Sequence, residues 1–163
     1  MCKGGIKMIK VIRIDHRLLH GQVIFAWTKS QGIERIVVID NVAAGDDFKK
    51  MSLKLSKPAD IKLSVFSVDQ AKERIAKINN LKSNTMIIFG DVLQAGQIVP
   101  LLEGVKEINY GGVKNRPDTK RFSNAVFLTE EEVKCSQELK NLGFDLYMQQ
   151  VPTSKRESLN ELI

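Results

Sequence analysis

The sequence predicts a single-domain α/β protein in three layers, with a mostly parallel open sheet of about seven strands and helices on both faces. Three observations carry this reading. Short runs rich in Ile, Val and Phe recur along the chain, longer stretches with helical spacing separate them, and glycines or capping residues punctuate the joins. Residues 1–163 are read as one domain with a core of its own, residues 1–7 being a partly disordered leader.

In chain order, residues 8–14 form the first expected strand, residues 33–39 (IERIVVI) the second, residues 61–66 (IKLSVF) the third and residues 85–89 (TMIIF) the fourth. Residues 105–109, 124–127 and 144–148 are shorter candidates that bring the count to seven. Between them, residues 20–31, 46–56, 68–79, 92–102 and 129–141 read as helices. Thr129 with Glu132 makes a capping-box pattern, in which each residue satisfies a free amide at the helix start. Ser154 with Glu157 offers a second before the closing SLNELI. Gly32 and Gly143 suit helix stops, because glycine enters the left-handed region without steric cost. Pro58 and the stretch Gly111 to Asp118 mark loops. No internal repeat or low-complexity tract interrupts the pattern.

Composition narrows the function classes. Hydrophobic residues at 43% and charged residues at 27% describe a folded, water-soluble domain and exclude wholesale disorder. A formal charge of +6 suits an anionic partner, but no dense Lys/Arg run marks a polybasic arm. The ten aromatic residues do not interleave with basic ones in a base-stacking pattern, which argues against a nucleic-acid-binding module. That module, or a simple anion binder, is the rival from another class. Two cysteines, Cys2 and Cys135, make neither a disulfide framework nor a metal knuckle and point to a reducing cytosol. No stretch is long and apolar enough for a membrane span, and the first ten residues lack the hydrophobic segment of a signal peptide.

One segment could carry chemistry: Arg13-Ile14-Asp15-His16-Arg17-Leu18-Leu19-His20-Gly21-Gln22. It holds both histidines of the chain, two arginines and a carboxylate where the first strand gives way to the first helix. In open α/β sheets ligands bind beyond the carboxyl ends of the strands, where loop amides and helix N-termini converge. No GxGxxG or GxxxxGK[ST] pattern follows the strand, so nothing supports a loop that wraps a dinucleotide or nucleoside triphosphate. An imidazole beside a guanidinium at a helix N-terminus supplies a nucleophile and the fixed positive charge that an incoming phosphoryl group needs. Zinc is the competing chemistry, since His16 and His20 are four residues apart. Arg17 between them and the absence of a clear third ligand weigh against it, and no metal or cofactor is assigned.

The string RIDHRLLHGQV, with Trp27 seven residues after His20, resembles the active-site segment of the B subunits (IIB components) of the mannose/fructose/sorbose family of bacterial sugar phosphotransferase systems. The likeness continues through IVVIDN, KLSVFSVDQA, Gly111-Gly112 and FLTEEE, and the length suits a free B subunit better than an A–B fusion. The resemblance implies a relay. A phosphorylated IIA protein hands its phosphoryl group to His20, which passes it to a sugar of the mannose, fructose, sorbose or N-acetylgalactosamine class brought in by the membrane IIC and IID subunits. It further implies that Arg17 binds the phosphoryl oxygens, that Asp15 holds the arginine and the loop, and that Arg13 is a further basic position beside them. His16, Leu18, Leu19 and Gly21 complete the implied phosphate-binding loop, with His16 as a modulator and not the acceptor. A cytoplasmic protein peripherally associated with the membrane permease complex follows, and so does a purely regulatory phosphocarrier of the same fold as an alternative.

The expected physics agrees. Arg13 and Arg17 favour the unprotonated imidazole before attack and stabilise the phosphoryl oxygens afterwards. Transfer between ring nitrogens of similar energy requires no Mg²⁺ and no nucleotide, and the resemblance implies Nδ1 as the nitrogen used. Lys114, Arg116, Lys120 and Arg121 are candidates for a positive rim that speeds docking. Trp27 reads as a packing residue, with contact to the partner as the lesser reading, and Phe25 as core.

Overall fold

A computed structural model describes residues 8–163; the expected leader lies outside the described residues. Strands β1 (Ile9–Asp15), β2 (Arg35–Ile39), β3 (Lys62–Phe66), β4 (Thr85–Phe89), β5 (Glu107–Gly112), β8 (Asp145–Met148) and β9 (Glu157–Ser158) form one sheet in the order β3-β2-β4-β1-β5-β8-β9. Every neighbouring pair is parallel except β8 and β9. A short antiparallel pair, β6 (Lys120–Arg121) and β7 (Phe127–Leu128), stands apart.

The layers follow from side-chain alternation. On β2 and β4, Ile36, Val38, Met86 and Ile88 face one core, while Val37, Ile39, Ile87 and Phe89 face the other. Strands buried on both faces must be apolar throughout, which is why TMIIF and IVVI carry no polar alternation. One face is covered by α1 (Gly21–Gln31), α2 (Asn41–Ala44) and α3 (Asp47–Ser56), through Ile24, Trp27, Ala43 and Leu53. The other is covered by α4 (Val68–Glu73), α5 (Ile75–Asn79), α6 (Val92–Ile98) and α7 (Glu130–Asn141), through Val68, Ala71, Ile78, Ala95, Ile98 and Leu139.

Helix ends behave largely as the caps require. Gly32 closes α1 at φ 60°, and Thr129 and Glu132 form the expected capping box on α7. A second capping box, Ser67 with Gln70, opens α4. The helix expected at residues 68–79 divides at Arg74 into α4 and α5. That expected at residues 92–102 ends at Ile98 and tightens into a 3₁₀ turn, because Pro100 has no amide to continue the α-helical ladder.

The strand count of seven holds, but one member differs. Residues 124–127 form no strand of the sheet; Val126 makes an isolated parallel bridge to Val113, just past β5, and Phe127 pairs with Arg121 in the small ribbon. The seventh place is taken by β9, in the tail where Ser154 and Glu157 suggested a helix start. Ser154 instead closes a turn on Val151, its hydroxyl donating to the Val151 carbonyl at 2.7 Å. Glu157 then pairs with Met148.

Topology places β1 at a switch point. Its following helix crosses to one face, whereas α6 and α7, which follow its neighbours β4 and β5, lie on the other. A crevice therefore opens beyond its carboxyl end, where Asp15 sits.

Candidate functional site

The loop from β1 to α1 is pinned at two buried residues, Asp15 and Leu19, and exposes what lies between and just beyond them. Leu19 packs in the core beneath α1 and α3. The His16 amide donates to the Gly112 carbonyl at 3.0 Å, and the Leu18 amide to the Asp15 carbonyl at 3.0 Å. Leu18 adopts φ 57°, a left-handed conformation costing a leucine about 1 kcal/mol, so the loop is held in shape against a local preference.

Asp15 is 0% exposed and accepts four hydrogen bonds. Oδ1 takes the Arg17 amide and Nε, each at 3.0 Å; Oδ2 takes Arg17 Nη2 at 3.0 Å and Arg13 Nη2 at 2.9 Å. Burial alone pushes this carboxyl up. The Arg17 hydrogen bonds and the charges of both arginines outweigh that effect and hold it below the usual carboxylate range.

The two arginines have different places. Arg13 is buried, its Nη1 donating to Asn109 Oδ1 at 2.6 Å and to the Gln149 carbonyl at 3.1 Å. Its guanidinium lies 5.5 Å from the Trp27 ring centroid and flat against Gly111, where a Cβ would come within 2.1 Å of Cζ. Burial pulls its pKa down and Asp15 opposes this, yet an arginine stays charged inside a protein. Arg13 thus works as an anchor beneath Asp15. Arg17 is half-buried, and its bidentate grip on Asp15 leaves Nη1 outside the pair. It is the guanidinium that the loop presents.

His20 is exposed at the N-cap of α1, with extended backbone and no side-chain capping bond. Its imidazole is not consumed in holding the helix. The first bond of α1 is made by the Val23 amide, which donates to the His20 carbonyl at 3.1 Å, so the Gly21 and Gln22 amides precede the helical ladder; no acidic residue occupies that turn, and the local field favours an anion. Gly21 follows at φ 46°. His16 is exposed on the other shoulder of the loop. Beside it, a groove of about 400 Å³ runs between His16 to Leu19 and α2–α3, where Asp40, Lys49, Ser52 and Ser56 line it; His20 is outside that lining. Among the described residues no group of three His, Cys, Asp or Glu gathers where it could hold a metal ion.

Three supports escaped the sequence reading. Asn109 fixes Arg13, and Asn109 Nδ2 also donates to the Gln149 carbonyl at 3.0 Å. Gly111 and Gly112 belong to β5 and not to a loop; they admit the Arg13 and Arg17 guanidinium groups. Asp40, Asp91 and Gln94 join the ends of β2 and β4, with Gln94 Nε2 donating to Asp40 at 2.9 Å and Asp91 at 2.8 Å. A buried amide in the run EINYGG was the available signal for Asn109.

Other expectations fare unevenly. Trp27 packs as expected, its indole N–H donating to the Gln150 carbonyl at 2.8 Å. Phe25 is not core; it is 45% exposed on the outer face of α1. Arg116 is no free rim charge, because Glu132 holds it at 2.6 Å. Arg121 donates to Asn124, while Lys120 lies over the Phe122 ring.

Fold and site together describe a doubly wound α/β domain whose candidate site, an exposed histidine and a carboxylate-held arginine, lies at the carboxyl end of its central strand. A sequence model described as PTS system sorbose subfamily IIB component matches residues 9–163. The chain belongs to this family and is a IIB component of the sugar phosphotransferase system. It is 31% identical over 149 residues to the sorbose-specific EIIB component of Lacticaseibacillus casei, covering 90% of this chain and 89% of the relative. It is 30% identical to the mannose-specific EIIAB component of Escherichia coli K12, covering 96% of this chain and 48% of that longer protein. Among solved structures, manxB from Thermoanaerobacter tengcongensis superposes with a TM-score of 0.85 at 32% identity, covering 94% of this chain and 93% of that one.

Proposed function

We propose that His20 is the phosphoryl carrier of this IIB component. The observation that carries the reading is an exposed, uncommitted imidazole at the start of α1, on the same short loop as an arginine held by a buried carboxylate. An unprotonated ring nitrogen attacks the phosphorus of a phosphohistidine on the IIA protein. The donor's P–N bond breaks as the new one forms, and the donor imidazole leaves with its electron pair. Arg17 and the α1 amides balance the charge on the three phosphoryl oxygens. In the second step a sugar hydroxyl attacks, the P–O bond replaces P–N, and the hydroxyl proton ends on the released imidazole. Asp15 fixes Arg17, Arg13 fixes Asp15, and Leu18, Leu19, Gly21 and His16 shape the loop.

The IIA and IIB parts of the E. coli relative share one chain, which supports a IIA protein as donor. The acceptor is a sugar of the sorbose, fructose, mannose or N-acetylgalactosamine class, delivered by IIC and IID subunits to a cytoplasmic protein at the membrane face. Incubation with phosphoenolpyruvate, the two general phosphotransfer proteins and the cognate IIA protein tests this by mass spectrometry. The expected result is one acid-labile phosphate on His20, retained in His16→Ala, largely lost in Arg17→Ala and absent from His20→Ala. Label persisting in His20→Ala refutes the assignment.

A further inference from the structure

Helices α1–α3 cover only part of their side of the sheet. Ile108, Tyr110, Leu146 and Met148 point into the core under α4–α7, so alternation turns Glu107 and Asn109 of β5 and Asp145 and Tyr147 of β8 to the opposite side. The apolar cluster beneath α1–α3 takes its buried strand residues from β1, β2 and β4. Over β5 and β8 the cover is the chain that follows β8. Trp27 ties it down at one end through its bond to the Gln150 carbonyl. Arg156 does so at the other, its Nη1 donating to Glu107 at 3.0 Å and its Nη2 to Asp145 at 2.8 Å. A cavity of about 360 Å³ remains between this segment, the end of α1 and the sheet. His16, Arg17 and His20 are outside its lining.

Tyr147, in the wall of this cavity, is a polar side chain without a partner. It is 8% exposed, with the Arg156 guanidinium 3.6 Å from its ring centroid, yet its hydroxyl makes no hydrogen bond among the described residues. A phenol buried to this degree normally finds one. Burial pushes its pKa up, so the hydroxyl keeps its proton and is available as a donor. Lys10 and Lys106 line the same cavity and, among the described residues, join no ion pair, whereas Arg156 and Glu107 offset each other. Two ammonium groups call for an anion. The phenol, with the hydroxyl of Ser30 from α1, calls for a ligand that carries hydroxyls as well. The room lies near the lower end of the roughly 300–1,000 Å³ usual for ligand sites, which suits one sugar ring and its phosphate. We propose that this cavity binds a monosaccharide phosphate, its phosphate facing Lys10 and Lys106 and a ring hydroxyl bonded to Tyr147. The product of the relay falls in that class. That link rests on the proposed function; the binding itself does not.

Calorimetric titration of the full, unphosphorylated chain with fructose 6-phosphate separates the two. Trp27 is the single tryptophan of the chain and lines the cavity, so its emission is expected to change in step with the heat. Fructose and inorganic phosphate are each expected to bind at least about tenfold more weakly than the ester. Tyr147→Phe keeps the ring beneath Arg156 and removes the hydroxyl alone, and is expected to weaken binding about tenfold. Lys10→Gln with Lys106→Gln weakens it further and flattens its dependence on salt. Arg17→Ala with His20→Ala, on the β1–α1 loop, leaves the affinity unchanged. The proposal is overturned if the ester gives no saturable heat, or heat without a change in Trp27 emission. It is equally overturned if fructose or inorganic phosphate matches the ester, or if Tyr147→Phe binds as well as the wild-type chain. Loss of binding in the Arg17/His20 variant places the ligand on the β1–α1 loop and overturns it too. None of these measurements requires phosphoryl transfer, so their outcome is independent of whether His20 is the carrier.

Discussion

Asp15→Asn tests the architecture beneath the site more sharply than any change at His20. The carboxylate is fully buried and shared by two guanidinium groups. In an asparagine one oxygen keeps two of the four hydrogen bonds, while the amide NH₂ faces donors. Two charge-assisted bonds disappear, each worth roughly 1.5–3 kcal/mol, and Arg13 keeps a buried charge without a counter-ion. The expected loss is about 3–5 kcal/mol, a large share of the ~5–15 kcal/mol that holds a domain together. Urea unfolding measures it as a lower midpoint at unchanged slope.

The pH dependence fixes the sign. The folded Asp15 pKa lies below its ordinary value of 3.8, so its stabilisation is fully present above that value and is lost as pH falls through the folded pKa. The gap between wild type and Asp15→Asn therefore stays constant from neutrality down to about pH 5 and closes only in stronger acid. A loss under about 1 kcal/mol, or a gap already closing between pH 7 and 5, refutes the account of Asp15 as the shared counter-ion.

Two further outcomes test the packing around this frame. Gly111→Ala places a methyl 2.1 Å from Arg13 Cζ, whereas at Gly112 the nearest atoms are Asp15 Oδ1 at 3.1 Å and Arg17 Nη2 at 3.2 Å. Thermal unfolding is expected to show Gly111→Ala losing about 3 kcal/mol and Gly112→Ala clearly less; the reverse order refutes the placement of Arg13. The Cys135 thiol, pushed up to about 11 chiefly by burial with help from Glu138 and Asp91, packs so closely that a Cβ on Gly96 would meet Sγ at 2.4 Å. Peptide-resolved alkylation at pH 8 is expected to be slow at Cys135 in the folded chain and fast in denaturant, with Gly96→Ala accelerating the folded reaction.

The half of the candidate site that is proposed to react was legible as a cluster because it is local. Asp15, Arg17 and His20 fall within six residues, and a strand running into a helix is itself a pattern of the same length. The supporting half was not, because it is made by tertiary contact: Arg13 reaches Asn109 across 96 positions and Gln149 across 136. Nothing in the string RIDHR says which arginine faces water, since both flank the same carboxylate at a spacing of two. Strand geometry decides it. Alternation puts Arg13 and Asp15 on the same side of β1, and β5 brings Gly111 alongside, where the missing side chain is the space that the Arg13 guanidinium fills. Arg17, beyond the last paired residue, is free of that constraint and turns back onto the carboxylate from outside. The glycine pair read as a loop is therefore the determinant of the division of labour between the two arginines. The tail went astray for the opposite reason: Ser154 and Glu157 have the right spacing for a cap, but the unpaired edge of β8 offers Glu157 and Ser158 backbone partners that one helical turn could not match.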